Sequence, residues 1–234
     1  MINESVLQDV RVRERSLLKN VYLWMAAALA VSAFTAFGVA SSESLIRFFL
    51  MNRAMPLVLM VAEFAIVMAL GAALGSMSRG TAIGLFMVYA VLNGVMLSSV
   101  LLVYAQATVF KAFFSAALMF LGMSIYATTT KRDLNNLGYY LMISLWGLVV
   151  ASLLNVFFRS SGADFLLSIV GVLIFAGLTA YDTQNIARAN SQYGWQMDQD
   201  TFSKLGVIFA LELYLDFLNI FLYLLRIFSG NRRD

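Results

Sequence analysis

The chain has 234 residues, 61% of them hydrophobic and 12% charged, with a formal net charge of +3. A soluble domain carries about twice that share of charge, so a soluble globular fold is excluded. The small, dispersed positive charge lacks a basic patch interleaved with aromatics, which excludes a nucleic-acid partner.

A membrane-spanning helix needs about 20 apolar residues, and only helices or closed barrels can cross a bilayer. The apolar runs here are too long and too uniform for alternating barrel strands. The fold class is therefore an all-α membrane protein with seven transmembrane helices.

Residues 1–20 mix Arg11, Arg13, Arg15 and Lys19 with Glu4, Asp9 and Glu14, and read as a cytoplasmic N-terminal segment. The apolar run that follows has no small-residue cleavage site, so it reads as a retained first span rather than a secretory signal. Spans are expected at about 21–41, 56–76, 82–104, 109–128, 139–158, 164–187 and 203–228. Together, 21–228 form one transmembrane domain, followed by a short tail at 229–234.

Pro56 is placed to open the second helix. "GAALG", Gly71 to Gly75, is a small-xxx-small motif that suits close helix packing within one bundle. The connections are short, and the longest polar one is "RANSQYGWQMDQDT" at 188–201.

Orientation follows from Lys and Arg. A cytoplasmic N-terminus puts the N-terminal cluster, Arg79, Lys131, Arg132, Arg188 and Lys204 inside, while the C-terminal cluster opposes it. The N-terminal cluster sets N-inside and C-outside. A re-entrant seventh span would instead put both termini inside.

With no Cys and no His, disulfides, thiolate metal sites and thiol catalysis are excluded. Any proton sensor must be built from carboxylates rather than imidazole. Four acids lie in the interior of spans: Glu63, Asp182, Glu212 and Asp216. Such residues usually face protein or a water-filled cavity and find partners there.

Span seven carries Glu212, Asp216, Asn219, Tyr223 and Arg226 at steps of four, three, four and three, which aligns them on one side of a helix. A single polar stripe on an otherwise apolar helix should turn inward. That places the last helix at the centre, enclosed by the other six. The plainer reading is a polar seam that only locks helix register.

Asp182 lies in "AYDTQNIAR" near the end of span six, where it either caps a turn, meets water or pairs. Spans six and seven share one loop, so they run antiparallel, and Asp182 and Asp216 can reach one aqueous pocket. Two carboxyls in contact cannot both ionise cheaply; they would share one proton and titrate as a unit. Arg79, on the same side, either latches the deprotonated pair or merely anchors the interface.

"YDTQ" at 181–184 followed by "LYLDFLNIFLYLLRIF" at 213–228 resembles the bacterial branch of the transmembrane BAX-inhibitor-motif family. In the earlier spans "AEFAIVMALGAALG" is the better match. The resemblance implies a seven-helix fold with the last helix wrapped by the others. It also implies a pH-sensitive calcium leak, with Asp182 and Asp216 as the proton sensor. A second-helix arginine would be the latch, and Glu63 would match the family glutamate. The stretch from Glu63 to "RGTAIG" holds one basic residue, Arg79.

The leading expectation is a pH-gated cation leak channel of the bacterial inner membrane, with Glu63, Glu212 and Asn219 along the ion path. Calcium takes about 6–8 oxygen ligands, so Asp182 and Asp216 would bind it only weakly and transiently. No resident cofactor is expected. The partners are membrane lipids, protons, and calcium or other cations. A proton-coupled transporter would need broken helices at the midplane. A non-conducting regulator would bind other membrane proteins, such as a membrane protease. An enzyme is not expected: an aspartyl dyad is chemically conceivable, but nothing else supports it.

Overall fold

A computed structural model describes residues 4–73, 75–193 and 199–230, with side chains for 17–73, 75–189 and 200–230. The element order is α1 (Glu4–Ala40), α2 (Glu43–Leu45), a π-helical turn (Ile46–Leu50), α3 (Met55–Ala72), α4 (Arg79–Val103), α5 (Gln106–Thr129), α6 (Asn135–Phe158), α7 (Ser161–Tyr193) and α8 (Gln199–Gly230). Among the described residues there is no strand, and seven helices are long and apolar enough to cross a membrane. The all-α, seven-span architecture expected from hydropathy is the one observed.

Boundaries differ from the sequence reading in identifiable ways. α1 is helical from Glu4, because mixed charges in the N-terminal segment do not break a helix. Pro56 sits in the first turn of α3, where its missing N–H costs nothing. α3 stops at Ala72, so Gly75 of the small-residue motif lies beyond the helix. Among the described residues an added Cβ at Gly71 or Gly75 would meet nothing within 4 Å, so neither glycine marks a close helix contact there.

Ser78 caps α4, accepting the Thr81 N–H at 3.1 Å, which satisfies one of the free donors of the first turn. The supposed polar connection at 188–201 is mostly helix, since α7 runs to Tyr193 and α8 begins at Gln199. Residues 194–198 of it lie outside the described residues. α8 continues to Gly230, into the expected tail, whose residues 231–234 also lie outside. α8 is unbroken over 32 residues, about 48 Å at 1.5 Å per residue, without the hairpin that a re-entrant span requires.

Two compact units divide the chain between them. The first comprises Met1–Ala105 and Ala189–Tyr214, the second Gln106–Arg188 and Leu215–Asp234. In the first, α1 and α4 come close at Gly94, where a Cβ would lie 2.6 Å from the Ser32 carbonyl oxygen. Only glycine lets the two backbones meet there. Val39, Leu59 and Val95 form a buried cluster joining α1, α3 and α4. The first half of α8 packs against α1, with Leu17 next to Gly206.

The second unit is held by rings. Phe113 and Phe120 of α5 meet Phe217 of α8 edge-on at 5.5 and 5.8 Å. α7 and α8 run antiparallel side by side: Arg226 lies 3.9 Å from Asp164, and Tyr223 stacks on Phe175 at 6.0 Å. Offset and edge-on ring pairs of this kind add to the stabilisation from burial alone. α8 is the most buried span, with 61% of its apolar window inside protein against 6% for α6.

Candidate functional site

The α7–α8 pairing brings together the two aspartates singled out in the sequence. At the level where Asp182 of α7 faces α8, its carboxyl comes within hydrogen-bonding reach of that of Asp216. Asp216 is 4% exposed. An ionised carboxylate only accepts hydrogen bonds, so a bond between the two forms only when one of the four oxygens carries a hydrogen.

The helix below the pair is anchored on its other side. Gln184 is buried; its Oε1 accepts the Leu134 N–H at 2.8 Å and its Nε2 donates to the Arg132 carbonyl at 2.9 Å. Arg188, one turn further on, pairs with Asp133 at 2.7 Å. The Tyr181 ring fills the space a side chain at Gly138 would occupy. It also packs on the buried cluster of Ala127, Leu134 and Ala180. Tyr181, Gln184 and Arg188 thus grip the α5–α6 connection and the start of α6.

Asp133 in that connection is exposed. The Asn135 backbone N–H and then the Arg188 guanidinium hold its carboxyl below the ordinary carboxylate range. Asn219, one turn past Asp216, spends its Nδ2 on the Leu215 carbonyl at 2.8 Å within its own helix.

The inward polar stripe expected on the last helix needs correction. Asp216 is buried and Asn219 and Tyr223 are half-buried, but Glu212 and Arg226 at the ends are exposed. Burying charge is costly. The helix instead buries Leu213, Tyr214, Phe217, Ile220 and Leu225, which leaves the two charged ends of the stripe at the margin.

In the first unit, Glu63 of α3 is half-buried. Its Oε1 reaches no hydrogen-bond partner among the described residues. It lies within electrostatic range of Tyr89 and Tyr214. Tyr214 is wholly buried, edge-on to Phe86 and Tyr89 at 5.7 and 5.9 Å. Its hydroxyl is 2.7 Å from Ser32 Oγ, which donates to the Ala90 carbonyl at 2.8 Å. With the serine hydrogen so directed, the phenol is the donor to Ser32.

Arg79 is the first residue of α4, exposed, and forms no ion pair among the described residues. The cation on the α3–α4 turn is Lys204. This buried lysine of α8 donates to the Met77 carbonyl at 3.1 Å and pairs with Asp200 at 3.0 Å. In the sequence it counted only toward orientation; its place five residues into α8 was the available signal.

No group of three or more acidic or other metal-ligating side chains gathers among the described residues.

Seven long apolar helices, most of them exposed over much of their surface, define an integral membrane protein of the seven-span α-helical class. A family model described as "Inhibitor of apoptosis-promoting Bax1" matches residues 14–233, and the chain belongs to that family. It is similar to the Inner membrane protein YbhL of Escherichia coli strain K12, 39% identical over 231 residues, covering 99% of this chain and 97% of YbhL. An uncharacterized protein of Borreliella burgdorferi is 41% identical over 227 residues, covering 97% of this chain and 96% of that one. One from Rickettsia prowazekii is 37% identical over 220 residues, covering 94% and 91%.

Proposed function

We propose that the protein is a pH-gated cation leak channel, with calcium among its ions, in the bacterial inner membrane. The observation that carries this reading is the meeting of the Asp182 and Asp216 carboxyls, on helices of membrane-spanning length. A hydrogen bond between them takes at least one proton. Complete deprotonation sets two like charges in contact away from bulk water, which drives them apart. The pair is therefore a proton sensor that titrates as a unit.

Parting the carboxyls displaces α7 against α8 and opens the path. Glu63 and Glu212 of the first unit supply carboxylate oxygens to a passing cation, Asn219 of the second supplies an amide oxygen, and Arg79, which forms no ion pair among the described residues, is the latch. Two carboxyls are too few to retain calcium, which takes about 6–8 oxygen ligands, so binding is transient and suits passage. The similarity to the Inner membrane protein YbhL supports the inner-membrane placement, and the N-terminal arginines support a cytoplasmic N-terminus. No catalytic role and no resident cofactor form part of this reading.

A second reading, a non-conducting regulator of membrane proteins, draws on α6. That helix is only 6% buried and presents Tyr139, Trp146 and Phe157 outward, a broad face for another membrane protein.

The test is flux through the purified full chain in proteoliposomes loaded with a calcium-sensitive dye. Calcium entry is expected to depend on pH, and Asp182→Asn with Asp216→Asn is expected to abolish that dependence. Flux no greater than in empty vesicles, for calcium and monovalent ions alike, defeats the channel reading and leaves the regulator. An unchanged pH profile in the double variant defeats the sensor.

A further inference from the structure

α7 carries two different contacts on nearly opposite faces, two residues apart. At about 100° per residue, Asp182 points roughly 160° around the helix from Gln184. One face meets α8 where the Asp182 carboxyl faces that of Asp216. The other meets main-chain groups of the α5–α6 connection through both ends of the Gln184 amide. Gln184 is itself buried, at 7% exposure, so its two bonds have little competition from water.

We propose that Gln184 is a positioning residue for the aspartyl pair. By gripping Arg132 and Leu134 it fixes the rotation and height of α7, and so holds Asp182 against Asp216. The proposal rests on the proton-sensor reading above. Its physical basis is the fixed geometry of a bidentate amide. A primary amide offers one acceptor and two donors. Here the acceptor takes the Leu134 N–H and a donor reaches the Arg132 carbonyl, two main-chain groups two residues apart. The clamp therefore resists both rotation and sliding of α7, whereas the Arg188–Asp133 pair is exposed at its acid end and tethers a flexible side chain.

The coupling works in both directions. A pair that parts strains the clamp, and a clamp that opens loosens the pair. Among the described residues of the second unit the other charged groups are Lys131, Arg132 and Asp133 of the α5–α6 connection, Lys111 of α5, Arg159 just before α7, and Asp164 and Arg226 at the far end of the α7–α8 contact. Asp216 is the acid that faces Asp182. Arg188, on α7 itself, is engaged by Asp133.

The test reads the carboxyls directly, without conduction. The full chain in lipid nanodiscs is titrated by difference infrared spectroscopy, following the protonated-carboxyl band that Asp216→Asn removes. Gln184→Met keeps the side-chain length and removes both hydrogen bonds. Two bonds of ordinary strength act on the pair by about tenfold, so the midpoint is expected to move by about one pH unit.

A second measurement needs no variant at position 184. Hydrogen exchange at the Leu134 amide should change its protection as the pair titrates in the wild type, and not in Asp216→Asn. A Gln184→Met midpoint within about half a pH unit of wild type, or Leu134 protection unchanged across the wild-type titration, overturns the proposal. Absence of cation flux would count against the channel reading alone.

Discussion

Removing one partner at a time from the Ser32–Tyr214 hydrogen bond should cost unequal amounts. Ser32→Ala leaves the Tyr214 hydroxyl without its acceptor, and that hydroxyl is wholly buried. A buried donor left unsatisfied costs about 1–3 kcal/mol. Tyr214→Phe keeps the ring contacts with Phe86 and Tyr89 and leaves Ser32 its carbonyl acceptors Ala90 and Ala28. It forfeits only the net value of one interhelical bond, about 0.6 kcal/mol on average within membrane proteins. The double variant removes donor and acceptor together, so it should lie close to Tyr214→Phe and well short of the sum. Equilibrium unfolding by sodium dodecyl sulfate in mixed micelles measures all three. Tyr214→Phe costing as much as Ser32→Ala would refute the assigned donor. Additivity within about 0.5 kcal/mol would refute the contact as an energetic unit.

Gly94→Ala should destabilise by about 1–3 kcal/mol, because its Cβ would sit 2.6 Å from a backbone oxygen of α1, which cannot swing aside as a flexible side chain would. The same unfolding assay reads it. Asp133 should contribute an acid-side loss of stability. Its folded carboxyl is held below the ordinary value of 3.8, so its contribution is complete above that value and disappears as pH falls through the lower folded one. Unfolding midpoints followed into acid should show this loss in the wild type and lack it in Asp133→Asn.

The seven spans were legible because apolar runs of this length have few other uses. The antiparallel neighbours α7 and α8, and the meeting of Asp182 with Asp216, followed from one shared connection and a helical offset. What stayed hidden had no local signature. Gln184 stood inside a quoted motif, yet its partners are main-chain groups about fifty positions away, and an amide says nothing of where it will reach. Lys204 looked like one more cytoplasmic lysine, because its burial depends on the Met77 carbonyl being there to receive it. Ser32 is one small residue in an apolar run, indistinguishable from its neighbours until Tyr214 arrives opposite it. The stripe on α8 misled for the opposite reason: four-three spacing fixes alignment along a helix but not how wide an arc the rest of the fold covers.

α3 is the span with the least to hold it in place apart from α6. It has 18 residues, about 27 Å of helix, slightly less than the roughly 30 Å hydrocarbon thickness. Only 11% of its apolar window is buried, whereas α1 and α4 are locked backbone to backbone at Gly94. Acyl chains are thus the principal neighbours of the helix that carries Glu63. A short, loosely held helix answers to hydrophobic mismatch by tilting or by thinning the surrounding leaflets. The depth of that carboxylate is accordingly set in part by which lipids the cell makes, a dependence that travels with the membrane rather than with the chain.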